Sequence, residues 1–185
     1  RRRLLVRKRG SGTFVCDNAK EIDLFSLAGT LTAFQKKGIA VQSRIMDGAR
    51  LIQVPSSEDN PFSGREAFFI SRLSSVEKTP VLLEDMYLHP EVFPGIDAVD
   101  LNDRSLSQIA EEFYFLRPKG GKQTFQIRAI DGHKGRLLEV SSTTPILAVR
   151  RFLDFPSEAN AVYAELFCRT DQFVFSQTIG GFSDE

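Results

Sequence analysis

Apolar and polar positions alternate along most of this chain, and the alternation divides it into strands with few helices between them. Leu4-Leu5-Val6 and Thr13-Phe14-Val15-Cys16 are short apolar runs on either side of Arg9-Gly10-Ser11-Gly12, a pattern that predicts a β-hairpin. A lone two-stranded hairpin is marginal in water, so this one is expected to belong to a larger unit. Asp17 to Asp23 reads as a polar linker. Leu24, Leu27, Ala28, Leu31 and Phe34 recur near helical spacing, but Gly29 and Thr30 interrupt them. The helix is therefore expected to start at Thr30 or Thr32, either of which can cap it, and to stop at Gly38.

Ile39 to Val54 reads as a long strand and Pro55 to Gly64 as a loop. Ala67 to Val76 and Pro80 to Leu88 predict a hairpin around Glu77-Lys78-Thr79. Pro90 to Asp103 is irregular, with a turn at Pro94-Gly95. Ser105 to Phe115 predicts an amphipathic helix with Leu106, Ile109, Ala110 and Phe113 on its buried stripe. Lys119 to Lys122 reads as a loop, Gln123 to Ile130 as a strand and Lys134 to Val140 as a short helix. Three further strands are expected at Ile146 to Phe155, Ala161 to Arg169 and Gln172 to Ser176. Strands joined by hairpins with few helices predict an antiparallel α+β domain.

Charge changes this picture at one end only. Lys and Arg total 24, as do Asp and Glu, yet six of the first nine residues are basic: Arg1, Arg2, Arg3, Arg7, Lys8 and Arg9. Any polyanion binding is thus expected of the N-terminus, with a solvated charge run as the plain alternative. No apolar run approaches the ~20 residues a membrane span needs. The two cysteines, Cys16 and Cys168, have no metal or redox spacing, and the two histidines, His89 and His133, make a zinc site improbable. No cofactor or metal is expected, and the cytoplasm fits best.

Catalytic constellations are missing from the sequence. Gly10-Ser11-Gly12 sits in the basic hairpin tip rather than a nucleophile elbow, and neither a phosphate loop nor a dinucleotide fingerprint occurs. His89 and His133 lie beside Pro90 and Gly132 and read as surface turn residues. Cys168, in an apolar strand, reads as a buried small hydrophobe, and Glu111-Glu112 as a solvated helix face. A binding site has better support. Arg72 lies between Ile70 and Leu73 on a strand that otherwise reads as buried, and Glu84 follows Val81-Leu82-Leu83 on the next. Across a hairpin the two can meet in one pocket, the arginine suited to carboxylate or phosphate and the glutamate to hydroxyl or amine donors. A purely structural Arg–Glu pair satisfies the same spacing. The helix starts near Thr32-Ala33-Phe34 and at Ser105 offer backbone N–H groups to an anion, or simply cap themselves.

In order along the chain, these segments resemble the GntR superfamily, in the branch named after the histidine-utilisation repressor, whose sensor is the UTRA domain. Arg9-Gly10-Ser11-Gly12-Thr13-Phe14-Val15 is similar to the wing of a winged helix-turn-helix, and Leu31-Thr32-Ala33-Phe34 with Gly38 to the first sensor helix. Ile70-Ser71-Arg72-Leu73-Ser74 and Thr79-Pro80-Val81-Leu82-Leu83-Glu84 resemble the ligand hairpin. Pro94, Ser105-Leu106-Ser107 and Phe167-Cys168-Arg169-Thr170-Asp171-Gln172-Phe173-Val174-Phe175 complete the series.

The resemblance implies a chorismate-lyase-like antiparallel sheet with flanking helices, without lyase activity. It implies a wing at 1–16, a linker at 17–23, an effector-binding and dimerisation domain at 24–178 and a tail at 179–185. The partners implied are a small organic or phosphorylated effector, a second copy of the chain and operator DNA. The DNA would be met through a largely absent DNA-binding domain and, in a full-length protein, the wing residues Arg7, Arg9, Gly10, Ser11 and Gly12. Effector contacts are implied at Thr32, Ala33, Phe34, Arg72, Ser74, Glu84, Ser105, Ser107 and Cys168. Ser74 replaces the second arginine of the family's Arg-x-Arg strand, Ser107 a common tyrosine, Val162 a frequent glutamate and Cys168 a frequent aromatic residue. These departures count against an ordinary amino-sugar phosphate as effector. The expected role is therefore the effector sensor of a bacterial transcription regulator, a repressor by resemblance and not an enzyme. The alternatives are a dimerisation module with a decayed pocket and an enzyme on the same fold.

Overall fold

A computed structural model describes residues 30–56 and 59–171 in full, and the backbone of four further strands at 5–8, 12–15, 20–23 and 173–176. The predicted N-terminal hairpin is present as β1 (Leu5–Lys8) and β2 (Gly12–Val15), antiparallel with Leu5 opposite Val15. Arg9, Gly10 and Ser11 of the predicted wing lie outside the described residues. The segment expected as a linker contains a strand. Lys20–Asp23 forms β3, which pairs in parallel with β10 (Phe173–Ser176), so a segment late in the chain closes on an early one.

Six antiparallel strands form the central sheet, in the order β4-β5-β6-β9-β8-β7. They are β4 (Val41–Gln53), β5 (Glu66–Val76), β6 (Thr79–Leu88), β7 (Gly120–Arg128), β8 (Ile146–Asp154) and β9 (Val162–Arg169). The β5–β6 hairpin turns at Glu77 and Lys78, both at positive φ (50° and 67°), the twist that two-residue hairpin loops require. The predicted loop at Lys119–Lys122 is instead the start of β7. Gly121 belongs there because a Cβ would collide with the carbonyl oxygen of Phe152 on β8.

Period-two alternation gives the sheet two faces. On one, Ile70, Leu82, Met86, Leu88, Val149, Ala164, Leu166 and Cys168 are buried in the main core with Ala33 and Phe34 of α1 (Thr30–Lys36) and Ile109 and Ala110 of α2 (Leu106–Tyr114). On the other, Leu73, Leu83, Ala148 and Phe167 form a smaller core with Ile130 and Leu138, which flank α3 (Gly132–Leu137). Ser105 caps α2: its Oγ accepts from Gln108 N at 3.1 Å, while Gln108 Oε1 accepts from Ser105 N at 2.8 Å, a capping box. Phe113, expected on the buried stripe, is 49% exposed and lies 5.0 Å beneath the Arg104 guanidinium. α3 begins two residues before the predicted start because Asp131 caps it, accepting from Lys134 N at 2.8 Å. His133 accordingly lies in an exposed helical turn, while His89 is half-buried beside Phe62.

Candidate effector pocket

The helix-covered face of the sheet is apolar except where three strands bring charge inward. Arg72 on β5 stands directly opposite Glu84 on β6. Both are 3% exposed, and Glu84 Oε2 accepts from Arg72 Nε at 3.1 Å and Nη2 at 2.7 Å. Arg72 Nη1 donates to the carbonyl oxygen of Arg104 at 2.8 Å, just before the α2 cap. The arginine thus ties the hairpin to the start of that helix.

A third charge comes from β8, where the sequence reading had no candidate. Arg151 is 6% exposed and donates through Nη1 to Thr30 Oγ1 at 3.3 Å and through Nη2 to Gln123 Oε1 at 3.4 Å. Burial pulls its pKa below the ordinary arginine value; Glu84 offsets this in part, and Arg72 adds to it. The signal for it was present in the alternation Leu147, Val149, Arg151, Leu153, which puts a cation on an apolar face.

Thr30, Arg72, Glu84, Ser107 and Arg151 supply the polar wall of one pocket of about 480 Å³, its open mouth included, closed elsewhere by apolar side chains of β6, β8, β9 and α2. Of the residues expected at the effector, Arg72, Glu84 and Ser107 line it. Thr32 and Ser105 stand behind Ser107: Thr32 Oγ1 donates to Ser105 Oγ at 3.3 Å, and Ser105 Oγ is 3.0 Å from Ser107 Oγ. Ala33 and Phe34 bury their side chains in the core and do not line the pocket. Ser74 and Cys168 are 0% exposed on the same face, two positions along the ladder from Arg72 and Glu84, and do not line it either. Ser74 Oγ has no hydrogen-bond partner among the described residues. Burial pushes the Cys168 thiol far above its ordinary range, which disfavours the thiolate form. Val162 does line the pocket, adding carbon to its wall. Among the described residues, no cluster of His, Cys, Asp or Glu is placed to hold a metal.

An antiparallel α+β domain with a charged, mostly apolar pocket beneath a capped helix is a small-molecule-binding domain in architecture. The chain belongs to the UTRA domain family, whose model matches residues 62–174; it is the effector-binding domain of a GntR-type transcription regulator. It is 22% identical over 174 residues to a probable fructoselysine utilization operon transcriptional repressor of Escherichia coli O157:H7, a match covering 94% of this chain and 72% of that protein. Its fold is similar to that of PhnF from Mycobacterium smegmatis, with a TM-score of 0.78 at 15% identity over 96% of this chain and 78% of that one. The C-terminal domain of the histidine utilization repressor from Pseudomonas syringae also matches, with a TM-score of 0.63 at 17% identity over 78% of this chain and all of that one. The relatives are bacterial transcription regulators. Among the described residues no helix is long and apolar enough to cross a membrane.

Proposed function

We propose that this chain senses a small anionic effector in the pocket of Arg72, Glu84 and Arg151 and passes the binding free energy to a DNA-binding head, acting as the sensor of a cytoplasmic repressor rather than as an enzyme. The observation that carries the reading is the buried ion pair opening into the pocket with a second guanidinium beside it. A ligand cavity gives such charges a use beyond stability, because ion pairs this deep often stabilise a fold no more than apolar residues of similar volume. Ser107, backed by Ser105 and Thr32, adds hydroxyls at the same mouth.

In this reading, residues 1–16 are the wing, 17–23 lead from it to the sensor, 24–178 form the sensor and 179–185 a tail. Two copies associate through the sensor, and effector binding favours one arrangement of the heads over another, which changes operator affinity by differential binding to two states. The wing, with Arg7, Arg9, Gly10, Ser11 and Gly12, would meet phosphates or the minor groove in a full-length protein.

The test is a thermal-shift screen with sugar phosphates, free sugars, amino acids, organic acids and inorganic phosphate. A ligand present at ~100 times its dissociation constant adds about 2.7 kcal/mol, enough to raise the melting midpoint by several degrees. The expected hit is an anion. A panel that leaves the midpoint unmoved would instead support a dimerisation module with a decayed pocket.

A further inference from the structure

The central sheet has two edges, and they are built differently. The pairing of β4 with β5 shifts register between Ile45 and Asp47 and again between Asp47 and Arg50, and Arg44, Asp47 and Arg50 place charge along the strand. Irregularities and charges of this kind keep an edge strand from pairing with another chain. β7, at the opposite edge, lacks both devices along its middle. It runs in register with β8 without a break from Gly120 to Arg128, and among the described residues it is paired on that side alone. The stretch Gln123-Thr124-Phe125-Gln126-Ile127 holds no charge and no proline.

This stretch also faces water. Every residue from Thr124 to Ile127 is exposed, Ile127 at 62%. Phe125 has a contact within the chain and still leaves 41% of its surface open. The cation at the end of the strand is turned away from the edge, because the Arg128 guanidinium lies 5.3 Å from the centre of the Phe167 ring. A regular, uncharged edge strand carrying exposed apolar side chains is a template for a further strand.

The residues of β7 point to what that strand is. Across a two-fold axis β7 meets itself antiparallel, and opposite residues share a face only when the axis passes beside a single residue. An axis at Phe125 sets Lys122 directly against Arg128 of the second copy, a destabilising like-charge contact that occurs twice. An axis at Thr124 sets Phe125 against Gln123 and Ile127 against Gly121, so neither apolar side chain gains an apolar partner. An axis at Gln126 sets Phe125 against Ile127, Thr124 against Arg128, and the two Gln126 amides against each other. Aromatic side chains opposite β-branched ones stabilise a sheet, and this register opposes no like charges.

We propose that β7 is the edge through which two copies of this chain associate, antiparallel about an axis at Gln126, so that their sheets become continuous. This rests on the dimeric reading above and names the surface for it. Gln123 of the same strand accepts from Arg151 Nη2 at 3.4 Å, so the strand at the interface also touches a residue of the pocket wall.

Self-association is measured by sedimentation equilibrium for the parent chain, Ile127→Lys and Leu51→Lys. Leu51 is the matched control, 49% exposed on the other edge strand. Ile127→Lys should weaken the dimer at least tenfold, and Leu51→Lys should leave it unchanged. Register is read by disulfide formation in a Cys16→Ser background, where the remaining Cys168 is 0% exposed. Gln126→Cys should link to its own copy, since directly opposite residues lie within disulfide reach. Thr124→Cys should link only when Arg128→Cys is also present. The cysteine variants carry the test if Ile127→Lys does not fold. A dimer that survives Ile127→Lys and gives no link through Gln126→Cys would overturn this interface and leave the dimeric reading standing. Loss of the dimer in Leu51→Lys alone would do the same and move the contact to β4. A parent chain that stays monomeric would overturn the dimeric reading and this interface together.

Discussion

Neighbouring positions of one hairpin send an ion pair to each face of the central sheet, and the two pairs live in different solvents. Arg72 and Glu84 face the helices, their side chains each 4% exposed and joined at 2.7 Å. One residue along, Ser71 and Asp85 face the other way; Asp85 accepts from Ser71 Oγ at 2.7 Å and from Lys134 Nζ at 2.8 Å, with the lysine side chain 23% exposed. Further across that outer face, Arg150 lies 3.7 Å from Glu165 and 2.8 Å from Asp59, all partly exposed. Water screens the outer charges and substitutes for a lost partner, whereas the inner pair, with the Arg104 carbonyl that Arg72 also reaches, is held by protein groups alone. The sheet can therefore carry charge on both faces, but only on the inner face does charge demand an explanation.

The sharpest way to break this comparison is to remove one inner partner. Arg72→Met strands Glu84 in the core and is expected to cost about 3–5 kcal/mol in urea unfolding. Adding Glu84→Met should return most of that stability while abolishing anion binding, because an apolar pair replaces an ionic one of similar volume. A double variant as unstable as the single one would mean the pair is structural rather than kept for a ligand.

A smaller effect concerns how thoroughly the inner face excludes charge. The Cys168 thiol is raised from its ordinary value of 9.0, by burial first and by Glu84 next. The unfolded chain therefore releases this proton first as pH rises. The stabilisation is whole below about pH 9 and is lost above it, at up to roughly 1.4 kcal/mol per pH unit. Urea midpoints measured between pH 9 and 10 should fall more steeply for the parent than for Cys168→Ala; equal slopes would place the thiol in a wetter setting. The smallest effect belongs to the outer face. Lys134→Ala should change stability by no more than about 1 kcal/mol, since Asp85 keeps its bond from Ser71. A loss near that of Arg72→Met would erase the distinction between the faces.

Local patterning was enough to place every strand of the central sheet to within a few residues, along with the Glu77-Lys78 turn and the helix stop at Gly38, where φ is +68°. It brought Arg72 and Glu84 onto one hairpin but not opposite each other: the register of the turn (Val76 with Thr79, Ser75 with Pro80) would set Arg72 against Leu83, and the irregularity between Ser74 and Ser75 shifts it to Glu84. What only the tertiary structure decided are the contacts between distant segments. The parallel pairing of Lys20–Asp23 with Phe173–Ser176 joins short strands with weak signals of their own. Arg151 meets Thr30 across 121 residues of sequence. Ser74 and Cys168 could be assigned to the inner face by alternation, yet not excluded from the pocket, because a cavity is bounded by whichever helix comes down on the sheet. Strand identity follows from neighbours in the chain, which the sequence writes directly; the shape of a pocket follows from packing between elements, which no local pattern encodes.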